Sequence, residues 1–74
     1  MNLPVTILKK LKYGSLRIKD VPYNCCYNTA AIVFRTLKEL GLIDYKVVGN
    51  ERWYYLTDLG KKYLEVVESV DGSN

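Results

Sequence analysis

The chain has 74 residues, 49% of them hydrophobic, and a formal net charge of +3. That length makes one domain, residues 1–74, near the lower limit for folding without staples, and the apolar fraction excludes a disordered polymer. With no His and only two Cys, a structural zinc site is not expected, and a His-based triad and a Cys–His pair are excluded. Charge is unevenly placed. Residues 1–19 hold Lys9, Lys10, Lys12, Arg17 and Lys19 with no acid (+5), while residues 63–74 hold Glu65, Glu68 and Asp71 with no base (−3). A basic end favours polyanions through counterion release, although a charge run also serves simply to solvate a face. The apolar patch Leu3–Leu8 is broken by Pro4 and Thr6, so it does not read as a signal peptide. No run approaches the roughly 20 apolar residues of a membrane span. The chain is expected to be soluble, intracellular and without a membrane partner.

Asn2 followed by Leu3-Pro4 reads as a helix start, since Asn can cap and Pro suits the first turn. Pro4, Ile7, Leu8 and Leu11 fall on one face, and Gly14 is the expected stop. Ser15 to Lys19 alternates apolar and polar residues, which suits a short half-buried strand or extended segment. Asp20 is placed to cap a short second helix through Val21–Cys25.

A longer helix follows. Ala30, Val33, Phe34, Leu37 and Leu40 share a stripe at three- and four-residue spacing, Asn28 is the expected N-cap, and Gly41 ends the helix. Opposite the stripe lie Asn28, Ala31, Ile32, Arg35, Lys38 and Glu39. Small and apolar residues beside an Arg suit contact with base edges, because thymine methyls accept apolar groups and guanine accepts Arg. Ile32 also fits a second role, packing under the short preceding helix.

Gly49-Asn50, between Val47-Val48 and Trp53-Tyr54-Tyr55, signals a two-residue hairpin with a type II′ turn. The implied register pairs Val48 with Glu51, Val47 with Arg52 and Ile43 with Leu56. One face then carries Ile43, Tyr45, Val47, Tyr54 and Leu56 toward the core. The other carries Asp44, Lys46, Trp53 and Tyr55, leaving Trp53 and Tyr55 exposed or covered by a partner. Thr57 is the expected cap of a last helix whose stripe is Leu59, Tyr63, Val66, Val67 and Val70. Adjacent Val66 and Val67 diverge by about one hundred degrees, so this helix can pack on the first helix and still serve a dimer contact. Residues 1–2 and 71–74 are expected to fray.

Cys25-Cys26 reads as packing rather than a disulfide, because adjacent cysteines strain the bridge. Of the seven Tyr, Tyr13, Tyr45, Tyr54 and Tyr63 read as half-buried fillers; Tyr23, Tyr27 and Tyr55, with Trp53, are better suited to contact work. Basic and aromatic residues interleave, yet too dispersedly for one single-strand stacking platform. The few carboxylates show no pairing for acid–base work, and no phosphate-cradling Gly loop occurs. No catalytic residue, cofactor, metal or small-molecule ligand is expected.

Four stretches in order, Gly14–Asp20, Tyr27-Asn28-Thr29, Leu37–Ile43 and Arg52–Gly60, resemble the winged helix-turn-helix DNA-binding domain. The likeness is to small MarR-like regulators and the compact winged-helix proteins of archaea and their viruses. It is interrupted at residues 20–27, where Pro22 and the Cys pair stand. The resemblance implies an α+β fold: a three-helix core, a two- or three-stranded β-wing and a C-terminal helix. It implies a double-stranded DNA partner, with the helix after residue 27 in the major groove and the wing on the backbone or minor groove. Asn28, Thr29, Ile32 and Arg35 then face bases. Arg17, Lys19, Tyr27, Lys38, Lys46, Asn50 and Arg52 lie near the backbone. A homodimeric transcription regulator of the cytoplasm, on nucleoid or host DNA, is the function expected. Trp53, Tyr55, Val67 and Val70 are its candidate dimer or partner contacts. The alternative is a winged-helix module that binds protein through the Trp53 and Tyr55 face.

Overall fold

The computed structural model describes residues 3–20 and 27–72. Helix α1 is Leu3–Leu11 and buries Ile7, Leu8 and Leu11, the spacing of one helical face. Pro4 of the same expected face is exposed, in the first turn where its missing N–H costs nothing. After the chain turns at Gly14, only Leu16 enters the sheet: its amide and carbonyl exchange hydrogen bonds of 3.0 and 2.8 Å with Tyr54. A single 3-10 turn, Ile18–Asp20, takes the place of the rest of the expected extended segment. The short second helix expected through Val21–Cys25, and the Cys25-Cys26 pair, lie outside the described residues.

Helix α2 is Tyr27–Glu39, with Ala30, Phe34 and Leu37 buried and Val33 half-buried. Asn28 therefore sits within the first described turn rather than ahead of it. Leu40, expected to close the apolar stripe, is exposed instead. The reason is the way the helix ends. The Gly41 amide donates to the Lys38 carbonyl at 2.9 Å and the Leu42 amide to the Leu37 carbonyl at 3.0 Å, the paired bonds of a Schellman motif. This motif needs a left-handed residue, supplied by Gly41 at φ 82°. The reversal turns Leu40 outward and inserts Leu42 into the core in its place.

Strands β1 (Ile43–Val48) and β2 (Glu51–Leu56) pair antiparallel, from Ile43 opposite Leu56 to Val48 opposite Glu51. This is the register expected from the turn. Gly49 has φ 64°, while no non-glycine residue among those described has positive φ; that sign pattern suits a type II′ turn. Ile43, Tyr54 and Leu56 are buried as expected, but Val47 is exposed, because the hairpin runs out past the helices that cover its base.

Helix α3 is Asp58–Gly72. Its start is joined to the exit of α2. The Thr57 hydroxyl accepts from the Gly60 amide at 3.1 Å, capping α3, and donates to the Gly41 carbonyl. The Thr57 amide donates to the Leu42 carbonyl at 3.1 Å. A Cβ on Gly60 would stand 1.9 Å from that same Leu42 oxygen, so only glycine permits the approach. Leu64 is buried and Val67 half-buried on this inner side. Leu59, Tyr63, Val66 and Val70, expected in one stripe with Val67, are exposed. Gly60 sets the rotation of the helix, and that rotation turns them away. Tyr13 is also exposed rather than a filler, since it lies in the turn beyond α1.

The core gathers Ile7, Leu8, Leu11, Phe34, Leu37, Leu42, Ile43, Tyr54, Leu56 and Leu64. Among the described residues no helix is long and apolar enough to cross a membrane. The fraying expected at residues 1–2 and 73–74 lies outside the described residues, whereas α3 runs on to Gly72.

Candidate nucleic-acid interface

Buried Phe34 roots a ladder of aromatic rings that leads out to the surface. Its ring meets Tyr54 at 4.9 Å between centroids, and Tyr54 meets Tyr45 at 5.3 Å. Tyr45 then carries two cations. The Arg52 guanidinium lies 4.9 Å from its centroid and the Lys38 ammonium 5.5 Å. A cation near an aromatic face is held by the ring's quadrupole, so one residue of α2 and one of β2 converge on a ring of β1. Register explains it: Tyr45 faces Tyr54, which makes Arg52 its diagonal cross-strand neighbour. The Tyr54 hydroxyl, by hydrogen bonding, and nearby Tyr45 push the Arg52 pKa up. Lys38 also lies 3.9 Å from the Asp44 carboxylate.

Between α2 and the hairpin these groups border an open cleft of about 670 Å³, whose lining includes Tyr27, Asn28, Ala31, Ile32, Arg35, Lys38, Tyr45 and Arg52. Asn28, Thr29 and Arg35 are exposed along the outer side of α2, and Ile32 is 55% exposed. The alternative packing of Ile32 under a second helix falls on residues outside those described. The cleft thus offers amide, apolar and guanidinium groups on one wall and cations on the other. Its shape and charge suit a polyanion.

Arg17 and Lys19 are engaged elsewhere. The Arg17 guanidinium donates from Nε and Nη2 to Asp20 at 2.8 and 2.9 Å and from Nη1 to Glu51 at 2.7 Å. It also lies 4.7 Å from the Trp53 ring centroid. Lys19 reaches the same Glu51 carboxylate at 2.8 Å. Hydrogen bonds from Lys19 and then Arg17 hold the Glu51 carboxyl below its ordinary pKa, and the Arg17 guanidinium does the same to Asp20. Arg17 is pushed up in turn, chiefly by Asp20. This network ties the segment before α2 to the start of β2, next to the hairpin turn.

Trp53 and Tyr55 are not the exposed aromatic pair that the alternation implies. Both are half-buried, Trp53 beneath Arg17 and Tyr55 with the Lys46 ammonium 5.9 Å from its centroid. Val67 is likewise half-buried, while Val70 is exposed. Asn50 is exposed in the turn at the hairpin tip. Sequence reasoning did not single out Glu51, Asp20 or Tyr45 for the site. Asp20 is legible as an i,i+3 partner of Arg17, and Tyr45 from the hairpin register, but Glu51 meets Arg17 only through the Leu16–Tyr54 pairing. Among the described residues, no three His, Cys, Asp or Glu side chains come together as a metal would require.

No protein-family model matches the chain, and no curated protein matches it in sequence. Solved structures do resemble it. AF1382 from Archaeoglobus fulgidus superposes with TM-score 0.82 at 17% identity, over 93% of this chain and 84% of that one. A PadR family transcription regulator from hypervirulent Clostridium difficile R20291 superposes with TM-score 0.79 at 15% identity, over 90% of this chain and 83% of that one. At these identities the likeness concerns the fold: an α+β, winged-helix-like arrangement of three described helices and a two-stranded antiparallel sheet.

Proposed function

We propose that this chain is a sequence-specific double-stranded DNA-binding transcription regulator, acting as a homodimer in the cytoplasm on nucleoid or host DNA. The observation that carries the reading is the cleft between α2 and the hairpin, where Arg35, Lys38 and Arg52 converge in a fold shared with a PadR family regulator. Helix α2 enters the major groove, with Asn28, Thr29, Ile32 and Arg35 toward the bases. Tyr27, Lys38, Lys46, Asn50 and Arg52 take the phosphates, with Arg17 and Lys19 behind them where the wing meets the backbone. Phosphate contacts supply affinity and base contacts choose the site. The proposed kin are the compact MarR-like, archaeal and archaeal-virus regulators, and the reading assigns the chain no catalysis, cofactor or small-molecule ligand.

The test is a mobility-shift titration over a salt series, on a selected site and on random duplex. Arg35→Ala is expected to flatten the preference between them by roughly ten- to a hundredfold, one bidentate base contact. Arg52→Ala is expected to weaken both alike and to reduce the salt slope by about one. If neither variant changes binding, the interface lies elsewhere.

A second reading, a protein-binding module, has in its favour a hollow of about 500 Å³ bordered by Ser15, Lys46, Val48, Trp53 and Tyr55 on the other face of the hairpin. Trp53→Ala would then abolish capture of the partner and leave DNA affinity near wild type.

A further inference from the structure

A second cleft, of about 530 Å³, lies between the exit of α1, strand β2 and α3. It shares no lining residue with the cleft between α2 and the hairpin. It opens where α1 ends at Leu11 and the chain turns through Gly14 to reach Leu16, which pairs with Tyr54 of β2. Leu11, Leu56 and Leu64 border it from the core, so its floor is apolar. Half-buried Tyr55, on the outer face of β2, stands beside them. An apolar hollow of this size with a few polar groups at its rim has the form of a small-molecule site.

The rim selects the ligand by charge. Lys12 borders the cleft from the exit of α1, and Lys61, Glu65 and Glu68 border it from one face of α3, four and then three residues apart. Lys12 and Glu68 satisfy each other at 3.1 Å, with Glu65 further off. Lys61 and Glu65 make no ion pair among the described residues, although they stand one helical turn apart. A lysine four residues ahead of a glutamate is the less favourable order for pairing along a helix. One cation and one anion are thus unmatched, about 6 Å apart along the helix axis, close enough for one α-amino acid to bridge. A ligand with a single charge would meet one of the two and leave the other unmatched beside its apolar body. Tyr55 favours a ring over an aliphatic chain, because edge and offset ring contacts add to burial.

We propose that this cleft binds a free amino acid with an aromatic side chain. Its carboxylate meets Lys61, its ammonium meets Glu65, and its ring lies on the Leu11–Leu56–Leu64 floor against Tyr55. The DNA reading involves no such ligand and is decided apart from it.

Amide NMR spectra of the full chain, titrated with L-phenylalanine, test the site. Saturable shifts are expected at Gly14, Ser15, Tyr55, Lys61 and Glu65. Phenethylamine, which lacks the carboxylate, and 3-phenylpropionate, which lacks the ammonium, should each bind about fivefold more weakly, and L-alanine, which lacks the ring, more weakly still. Lys61 and Glu65 are both exposed, so their substitution leaves the core intact. Lys61→Gln should weaken phenylalanine and 3-phenylpropionate about fivefold and leave phenethylamine unchanged. Glu65→Gln should weaken phenylalanine and phenethylamine by a similar factor and leave 3-phenylpropionate unchanged. Cleft amides that stay in place up to about 10 mM L-phenylalanine, enough to fill a millimolar site, overturn the proposal. Either analogue binding as tightly as phenylalanine, or both variants binding it like wild type, overturns recognition of the paired charges. L-alanine binding equally well overturns the role of the ring. The salt-series DNA titration, run without amino acid, is untouched by each of these results.

Discussion

Arg17 and Glu51, 34 residues apart in the chain, are joined by an ion pair of 2.7 Å between Nη1 and Oε2. The same carboxylate holds Lys19 at 2.8 Å. Two cations at the mouth of the proposed interface are thus neutralised by an acid at the start of β2. A phosphate approaching this corner must compete with Glu51 for both of them.

Glu51→Gln removes the competitor and keeps the shape of the side chain. Its expected effect is tighter binding to every duplex at low salt, with the salt slope steepened by about one as Lys19 becomes available to phosphates, while Arg17 stays on Asp20 through Nε and Nη2. A mobility-shift series on random duplex reads this directly. An unchanged slope would mean that Lys19 does not meet the backbone.

The network also has a pH signature. Glu51 and Asp20 have folded-state pKa values below their ordinary 4.5 and 3.8. Carboxyls depressed in this way contribute stability that is present above those ordinary values and is lost as pH falls through the depressed ones. The melting temperature of the wild type is therefore expected to fall more steeply below about pH 4.5 than that of Glu51→Gln, with the two curves parallel at neutral pH. Parallel curves throughout would show the pair to be without weight in solution.

Tyr45 is the hinge point of the opposite wall, since Arg52 and Lys38 both lie against its ring. Tyr45→Leu keeps an apolar side chain beside Tyr54 but removes the quadrupole that holds both cations. DNA binding is expected to weaken about three- to tenfold across all sequences. Tyr45→Phe, which retains the ring, is expected to behave as wild type. Fluorescence anisotropy on a labelled duplex distinguishes the two, and equal losses would refute positioning by the ring.

The joint between α2 and α3 should dominate stability. Thr57→Ala removes a helix cap and a second hydrogen bond to Gly41, with an expected cost of about 1–3 kcal/mol. Gly60→Ala must displace backbone, because its Cβ would fall 1.9 Å from the Leu42 oxygen; a loss above about 3 kcal/mol is expected. Urea denaturation measures both. A Gly60→Ala protein as stable as the wild type would show that the two helices can slide apart without cost.

Local chemistry made much of this fold legible. Gly49-Asn50 specifies a two-residue turn, and a two-residue turn fixes the register of the whole hairpin. Gly41 and Thr57 likewise announce a helix stop and a helix cap because each answers a demand of its immediate backbone. Illegible were the choices made between distant segments. Apolar residues occur on more than one face of α3, so periodicity alone cannot say which stripe turns inward; the close approach of Gly60 to Leu42 decides it. The fate of Arg17 depends on Leu16 pairing with Tyr54, a contact between segments that share no sequence signal. Leu40 fits the period of α2 perfectly and is turned out only by the Gly41 reversal.

The Leu42 carbonyl oxygen accepts the Thr57 amide and lies against Gly60, so the end of α2 and the beginning of α3 share one peptide group. The pitch of α2 against α3 is consequently set within one copy, with that peptide group as the joint. On the proposed reading, whatever holds α3 in place would also fix the angle at which α2 meets a groove.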